Sequence, residues 1–256
     1  EARLLGPLEI KRGGSALALP ASRKVRALFA YLALSPRPVT RSALCELLWD
    51  VPDDPRGELR WCLSKLRGVL DTPGQPRVET HGDAVAIDLS GGFIDALEVA
   101  ALTQTGLEGA APQRLRDLAA LFTGDFLEGL EIDRSPGFRT WLLAQRRRFR
   151  GCRVALVERL VACAPANERL AHLELWATLA PFDRDVHAQL IDELARRGRL
   201  AEIDEHVAAT ARLFEAEGLD PLPIRTMPRS TAPPACPVSR AETPPAVEAP
   251  ARRAER

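Results

Sequence analysis

The cationic and hydrogen-bonding side chains of residues 53–70 have the types and spacing of a nucleic-acid contact. The stretch reads DDPRGELRWCLSKLRGVL, with leucines at relative positions i, i+4, i+7 and i+11. At about 100° per residue, a helix would stack these leucines in one narrow stripe and place the polar residues on the opposite face. An apolar back and a cationic front suit a helix that enters a DNA major groove. The predicted contact residues are Arg56, Arg60, Trp61, Ser64, Lys65 and Arg67.

A surface helix with a solvated, charged face is the plainer interpretation of the same pattern. The stretch begins with an acidic cap and has Pro55 in its first turn, which are ordinary helix-start signals without functional meaning. For this helix taken alone, the plainer interpretation is the better one. The neighbouring elements therefore have to decide between the two.

The neighbouring segments predict a winged helix-turn-helix over residues 1–90. Two strands, at residues 3–10 and 16–19, flank the Gly13-Gly14 turn. Ser22 and Thr40 are good N-caps for two helices that precede the one described above. A hairpin then follows at residues 77–80 and 84–89, around Gly82-Asp83. The order of strands, three helices and a hairpin is that of an OmpR-like winged helix.

A helical domain is predicted to follow the Gly91-Gly92 boundary, over residues 91–222. Helices are expected at residues 93–105, with Phe93, Leu97, Ala100 and Ala101 on one face, and at residues 112–122 and 136–163. Residues 166–179, 183–197 and 199–216 read as helix pairs with a period of roughly 34 residues, as in tetratricopeptide (TPR) repeats. Residues 223–256, rich in Pro and Ala, are predicted to be a disordered tail or linker. An apolar seam is expected at Leu173, Trp176, Leu190, Leu194, Val207 and Leu213.

Several segments together resemble the SARP-type regulators, which carry a bacterial transcriptional activator domain (BTAD). In the first domain these are RLLGPLEI, LFAYLAL, ALCELLW and LRWCLSKLRGVL. In the second domain, GDFLEG at residues 124–129 and the final helix pairs are similar to BTAD signatures. The fold class expected from this resemblance is mainly α, a winged helix followed by an all-α TPR-like domain.

The SARP resemblance implies a cytoplasmic bacterial transcription regulator, an activator that binds direct-repeat promoter sites and recruits RNA polymerase. A homodimer on double-stranded DNA is implied as well. The wing differs from the family pattern because Gly-Asp-Ala-Val at residues 82–85 lacks the usual aromatic residue and arginine. The wing adds Thr80 and His81 to the predicted DNA contacts. The loop before the third helix would contact the polymerase through Trp49, Asp50, Asp53 and Asp54.

Composition and motif searches exclude several classes of function. The 35 basic and 35 acidic residues cancel, so DNA affinity must come from a local patch or from several subunits. The sequence has no phosphate-binding loop, GxSxG or HExxH motif, so we expect no enzyme, cofactor or metal site. No apolar run is long enough for a membrane span. The five cysteines, odd in number and without CxxC spacing, read as reduced thiols.

A protein-interaction scaffold is the alternative from another functional class. Its TPR-like helices would bind a partner, and the winged helix would be a structural module without DNA contact. The zero net charge and the acidic wing tip favour this alternative. The discriminating feature is whether the positive charges of Arg56, Arg60, Lys65 and Arg67 concentrate on one surface. An enzyme would require a further domain beyond the tail.

Overall fold

The computed structural model describes residues 1–50 and 54–220 and contains a winged helix followed by a helical domain, as predicted. The winged helix comprises β1 (Ala2–Arg3), β2 (Glu9–Arg12), β3 (Ser15–Ala16), α1 (Arg23–Ala33), β4 (Val39–Thr40), α2 (Arg41–Leu48), α3 (Pro55–Leu70), β5 (Val78–His81) and β6 (Ala84–Ile87). The helical domain comprises α4 (Asp95–Thr105), α5 (Pro112–Ala119), α6 (Pro136–Cys163), α7 (Ala166–Leu179), α8 (Arg184–Arg196) and α9 (Leu200–Ala216). The expected tail lies outside the described residues.

Side-chain caps begin the three helices of the winged helix where the sequence predicts them. Ser22, Thr40 and Asp54 each accept a hydrogen bond from the backbone N–H three residues later. Pro55 occupies the first turn of α3, where its missing N–H costs nothing. The leucine stripe of α3 is buried, each member being at most 5% exposed: Leu59, Leu63, Leu66 and Leu70.

The N-terminal sheet corrects the prediction of one strand over residues 3–10. The structure has two short antiparallel strands there, β1 and β2, with Ala2 opposite Ile10. The predicted strand at residues 16–19 is likewise reduced to β3, which pairs with β2. Residues 4–8 lie outside the sheet because part of their backbone bonds to the helical domain instead of to a strand.

A strand that the sequence analysis missed links the second helix to the wing. β4 pairs with β6, Val39 lying opposite Val85, so the wing sheet has the order β4-β6-β5. The backbone N–H of Arg41 then donates to the carbonyl of Asp83 at 2.9 Å. The prolines before β4 mark the end of α1, but only the fold shows that the next residues join a sheet. The first turn of α2 is thereby held against the wing tip.

The main-chain segment Leu4–Gly6 connects the two domains, and we call its contacts the joint. The Asp95 carboxylate accepts from the N–H groups of Leu4, at 2.8 and 2.9 Å, and of Leu5, at 3.0 Å. In the other direction, Thr123 donates its N–H to the Leu5 carbonyl at 2.8 Å, and Leu127 donates to that of Leu4 at 2.9 Å. The leucine-glycine strand and the GDFLEG turn, quoted separately for the SARP resemblance, are therefore in contact.

Glycine at position 6 is required by the close approach within the joint. Its φ is +154°, and a Cβ built there would lie 2.0 Å from Thr123 Oγ1 and 3.3 Å from the Gly124 nitrogen. The Gly6 carbonyl also accepts from the Glu128 N–H at 3.1 Å. A larger residue at position 6 would push the turn at residues 123–128 away from the Leu4–Gly6 segment.

A second contact seats α2 against the start of α6. Ser135 donates its hydroxyl to the Leu48 carbonyl at 2.7 Å, and Gly137 lies so near that an added Cβ would be 3.3 Å from the Leu47 Cα. The Trp141 ring of α6 meets Tyr31 of α1 edge-on, with centroids 5.2 Å apart. One hydrophobic core therefore continues across the boundary at residues 91–92. The prediction that the winged helix docks on the helical domain is confirmed.

Helix α4 buries a different face from the predicted one. Phe93 and Leu97 are 40% and 44% exposed, and Ala101 is also exposed, whereas Ala96 and Val99 are buried. Of the predicted face only Ala100 is buried. The rotation follows from Asp95, because its carboxylate must face the N–H groups of the joint.

Helices α7 and α8 pack on the end of α6 around a second, smaller core. Four members of the predicted seam are buried there: Leu173, Trp176, Leu190 and Leu194. Leu213 of α9 is 39% exposed, however, and Phe214 beside it is buried instead. Val207 is only partly buried. The buried face of α9 is shifted by one residue from the predicted face, so the predicted seam is wrong over α9.

Buried His187 and the free cysteines of both domains lie within the packed structure. Buried His187 contacts the Pro181 carbonyl at 2.8 Å through Nε2 and His206 Nε2 at 3.0 Å through Nδ1. No group of three or more metal-ligating side chains occurs in the described parts of the chain. Cys45, Cys62 and Cys152 are free thiols, and burial raises the pKa of Cys62 to about 11. The expectation of reduced thiols is wrong for Cys163, which is disulfide-bonded.

None of the helices within residues 1–50 and 54–220 is long and apolar enough to cross a membrane.

We expect Asp95→Ala to lower the free energy of unfolding by about 2–6 kcal/mol, because it leaves two buried N–H groups of the joint unpaired at about 1–3 kcal/mol each. Denaturant unfolding of the full chain measures this. Asp117→Ala, which removes an exposed carboxylate of α5, is the matched control and should change stability by less than about 0.5 kcal/mol. Equal effects of the two substitutions would contradict the assigned role of Asp95.

Acidification should destabilise the packing of α8 against α9. Burial, with a smaller contribution from His187, lowers the pKa of His206. The unfolded chain therefore binds more protons, and stability falls as the pH drops through the ordinary histidine pKa towards the lower folded one. His206→Gln should reduce the loss of thermal stability between pH 7 and pH 5. His81→Gln, at an exposed position, is the control, and an identical pH dependence in both variants would contradict the prediction.

Candidate nucleic-acid interface

The outer face of α3 presents an aromatic ring and polar groups to solvent. Trp61 is 50% exposed, and Ser64 and Lys65 are exposed one turn further on. Lys65 Nζ lies 5.4 Å from the centre of the Trp61 ring, a cation–π contact between residues four apart on the helix. Gly68 continues this face with open space around it. The helix backbone can therefore approach another surface closely at Gly68.

Beside this face, four arginines surround one cleft of about 430 Å³, which we call the arginine cleft. Its floor consists of Leu59 and Leu63 from the leucine stripe, and Asp83 of the wing tip is the acidic residue in its lining. Apolar walls lower the local dielectric and strengthen the field of charges around them. The cationic residues of the arginine cleft are Arg41, Arg56, Arg60 and Arg67.

Weak contacts orient two of these guanidinium groups without neutralising the cleft. Arg67 Nη2 donates to Thr80 Oγ1 of β5 at 3.1 Å, which ties α3 to the wing. Arg60 Nη2 lies 3.8 Å from the Asp54 carboxylate, and the Arg60 side chain remains 70% exposed. An exposed ion pair of this length contributes little energy and exchanges readily for another anion. The cleft is therefore available to a phosphate.

Comparisons with known proteins bear on this geometry. No family model matches the sequence, and no curated protein matches it. Among solved structures, Mycobacterium tuberculosis EmbR, in complex with a low-affinity phosphopeptide, matches with a TM-score of 0.66 and 23% identity. EmbR is a SARP-family regulator. The fold is that of a SARP-type regulator.

The alignment covers 88% of this chain and 62% of the EmbR chain. This protein therefore spans less than two thirds of the length of its SARP-type structural neighbour. At 23% identity the likeness shows a shared fold. The resemblance to SARP-type regulators that the sequence motifs indicate is therefore confirmed for the fold. The ligands of this chain follow from its own residues.

Within this SARP-type fold, the predicted DNA contacts fall into separate groups. Arg56, Arg60 and Arg67 come together in the arginine cleft, whereas Lys65 belongs to the outer face with Trp61 and Ser64. Thr80 joins the cleft through Arg67. His81 is exposed on the wing, and its Nε2 lies 2.9 Å from a carboxylate oxygen of Glu79. The structure thus gathers three of the predicted residues in the arginine cleft and leaves Trp61, Ser64 and Lys65 on the outer face of α3.

Arg41 is a cleft residue that the sequence analysis missed. It is the first residue of α2 and follows the Thr40 cap, so a sequence reading treats it as part of a helix start. Its place beside α3 depends on the pairing of β4 with β6, which holds its backbone against Asp83. The sequence signal, a basic residue directly after an N-cap, was too weak to reveal this.

The predicted polymerase-contact loop requires one correction. Trp49 is only 4% exposed; its indole N–H donates to the Glu58 carboxylate, and Lys24 Nζ lies 4.9 Å from its ring centre. Trp49 is therefore a core residue that cannot reach a partner protein. Asp50 is exposed, Asp54 caps α3 through the Gly57 N–H, and Asp53 lies outside the described residues.

Proposed function

We propose that this protein is a DNA-binding transcription regulator of the SARP type. The arginine cleft carries the proposal, since it gathers four cationic side chains between α2, α3 and the wing of a chain with no net charge. A local patch of this kind is the only way that a neutral protein attracts DNA as a single copy. The protein is proposed to act without catalysis, as a binding module.

The geometry supports different DNA contacts for the outer face of α3 and for the arginine cleft. The outer face enters the major groove, where Ser64 and Lys65 can hydrogen-bond base edges and Trp61 can cover a thymine methyl group. The arginine cleft takes the backbone phosphates that border the groove, because guanidinium groups bind phosphate oxygens in pairs. The exposed Thr80 and His81 would approach the neighbouring backbone from the wing.

Activation at direct-repeat promoter sites belongs to the same proposal. Few phosphate contacts per winged helix favour two copies, a homodimer on DNA, bound on adjacent repeats roughly 10–11 bp apart. RNA polymerase would be recruited through the acidic loop that contains Asp50, Asp53 and Asp54, of which Asp50 and Asp54 are exposed, without Trp49. The cytoplasm is the proposed compartment.

A protein-contact role of the helical domain is supported by a separate observation. Phe93, which precedes α4, and Leu97 and Ala101 of α4 form an exposed apolar strip. Contiguous exposed apolar side chains are typical of protein-interaction surfaces. We therefore also propose that the TPR-like helical domain binds a protein partner, in addition to the DNA contact of the winged helix.

Substitution in the arginine cleft tests the DNA contact. Sites are first obtained from random-sequence DNA by selection with the full chain. Arg60→Ala and Arg67→Ala should each weaken binding by about 1–3 kcal/mol where the arginine reads a base edge, or lower the salt slope by about one where it contacts phosphate. Arg147→Ala, at an exposed position on α6, is the matched control. Unchanged affinity and salt slope in both folded cleft variants would overturn the proposed function.

Removing the acidic charge from the arginine cleft should strengthen DNA binding. Asp83 presents its carboxylate where phosphate would bind, and one unit charge at about 4 Å in water contributes roughly 1 kcal/mol. Asp83→Asn should therefore raise the affinity about fivefold at low salt, with a smaller gain at high salt. The backbone bond to Arg41 is unaffected, and Asp117→Asn is the control. Weaker binding by Asp83→Asn would contradict this orientation of the wing.

A further inference from the structure

An open groove of about 430 Å³ lies where the start of α8 meets the end of α9, and we call it the terminal groove. Two of its apolar side chains are exposed, Phe182 at 43% and Leu219 at 41%. The third, Phe214, is buried, and its ring centroid lies 5.7 Å from that of Phe182. The full lining is Phe182, Asp183, Arg184, Asp185, Phe214 and Leu219.

Helix α9 is the last helix within the described residues, and it packs on α8 as α8 packs on α7. In such a succession of helices each layer contacts only its neighbours, and the terminal layer needs a cap over the face that no further layer covers. The terminal groove is part of that face. A segment lying on Phe182 and Leu219 would bury their apolar area and stabilise the end of the helical domain.

The end of α9 brings the following chain to the terminal groove. Gly218, with φ +69°, ends the helix in the left-handed conformation, and the Leu219 N–H donates to the Phe214 carbonyl at 2.8 Å. This arrangement reverses the chain and returns the residue after the glycine to the last helical turn. Arg184 Nη2 then donates to the Asp220 carbonyl at 3.1 Å, which holds the chain against the start of α8. The chain therefore leaves α9 at the groove itself.

The sequence that follows Asp220 is apolar and contains two prolines. Residues 221–227 read Pro-Leu-Pro-Ile-Arg-Thr-Met, and they offer the large apolar side chains of Leu222, Ile224 and Met227. Each proline fixes its own φ near −65°, which lowers the backbone entropy that is lost when the segment is held in one place. An apolar segment of reduced backbone freedom thus begins directly beside an apolar groove.

The charges of the terminal groove and of the chain that follows it are opposite in sign. Asp183 and Asp185 line the groove, and Glu217 is exposed at the end of α9. The one guanidinium in the lining, that of Arg184, is already hydrogen-bonded to the backbone. Residues 221–241 carry three arginines and no acidic residue. Coulomb attraction therefore favours this segment over an acidic one as the occupant of the groove.

We propose that residues 221–227 fold back into the terminal groove and cap the helical domain from within the same chain. Leu222 and Ile224 cover Phe182 and Leu219, and the following arginine faces the acidic side of the groove. Because the segment starts at the groove, its effective concentration there is on the order of millimolar, and a separate partner has to exceed this to displace it. The proposal goes beyond the proposed function and uses none of the DNA-contact residues. Failure of either one therefore leaves the other unaffected.

Limited cleavage of the full chain by trypsin tests this inference, because trypsin cuts after arginines inside and outside the proposed cap. The rate of cleavage after Arg225 is compared with the rate after Arg240, and each is divided by the rate for a synthetic peptide of the same local sequence. Cleavage follows the fraction of molecules in which the segment is undocked, so the normalised rate at Arg225 should be at least about tenfold below that at Arg240. Because the contact lies within one chain, this ratio should not change on dilution of the protein.

Two variants make the protection specific to the proposed contact. Leu222→Ser combined with Ile224→Ser removes the apolar side chains of the cap, and the normalised rate at Arg225 should rise to that of the unprotected site. This variant leaves residues 1–220 unchanged, so it is informative even if a groove variant fails to fold. Leu219→Ser removes an exposed side chain of the groove and should have the same effect. Leu200→Ser, 67% exposed at the opposite end of α9, is the matched control and should leave the rate unchanged.

Three results would overturn the inference. The first is an equal normalised rate at Arg225 and Arg240 in the unchanged chain, which would mean that the segment does not dock. The second is protection that disappears on dilution, which would mean that a second copy of the chain covers the groove. The third is protection that persists in the double variant or in Leu219→Ser, which would mean that the segment lies against another surface.

Discussion

The rest of the structure depends on the hydrogen bonds that the Leu4–Gly6 backbone makes with the helical domain. Asp95 satisfies the N–H groups on one side, and the turn at residues 123–128 satisfies the carbonyls. Buried main-chain groups must be paired, so the segment is stable only when both parts of the chain are present. Burial raises the pKa of Asp95, whereas the N–H donors that it accepts from oppose that rise. The carboxylate is thus kept as an acceptor by its own partners.

Helix α6 joins the core that includes the winged helix to the second, smaller core. Its first half, with Phe138 and Leu142, packs in the core that includes the winged helix, and its second half, with Val157 and Val161, packs against α7 and α8. A helix of 28 residues is long enough to serve both. The contact of α2 with the helical domain and the second core are consequently joined by one continuous helix.

Charge is distributed so that a neutral chain presents a local positive site. The arginine cleft owes its character to residues from α2, α3 and the wing, with Asp83 as a moderating charge. The buried carboxylate of Glu193, only 2% exposed, is paired internally: it lies 2.6 Å from Arg196 and 2.8 Å from Arg197. The proposed DNA contact thus depends on where the arginines lie, and the equal totals of acidic and basic residues do not count against it.

The sequence by itself determined the helices, the caps at Ser22, Thr40 and Asp54, the buried leucine stripe of α3 and the winged-helix order, because these follow from local periodicity and capping chemistry. Only the tertiary structure decided which groups the backbone of residues 4–6 bonds to, which face α4 buries and that Trp49 is a core residue. It also brought Arg41 to the cleft through the β4–β6 pairing. These features depend on partners tens of residues away, so no local pattern in the chain encodes them.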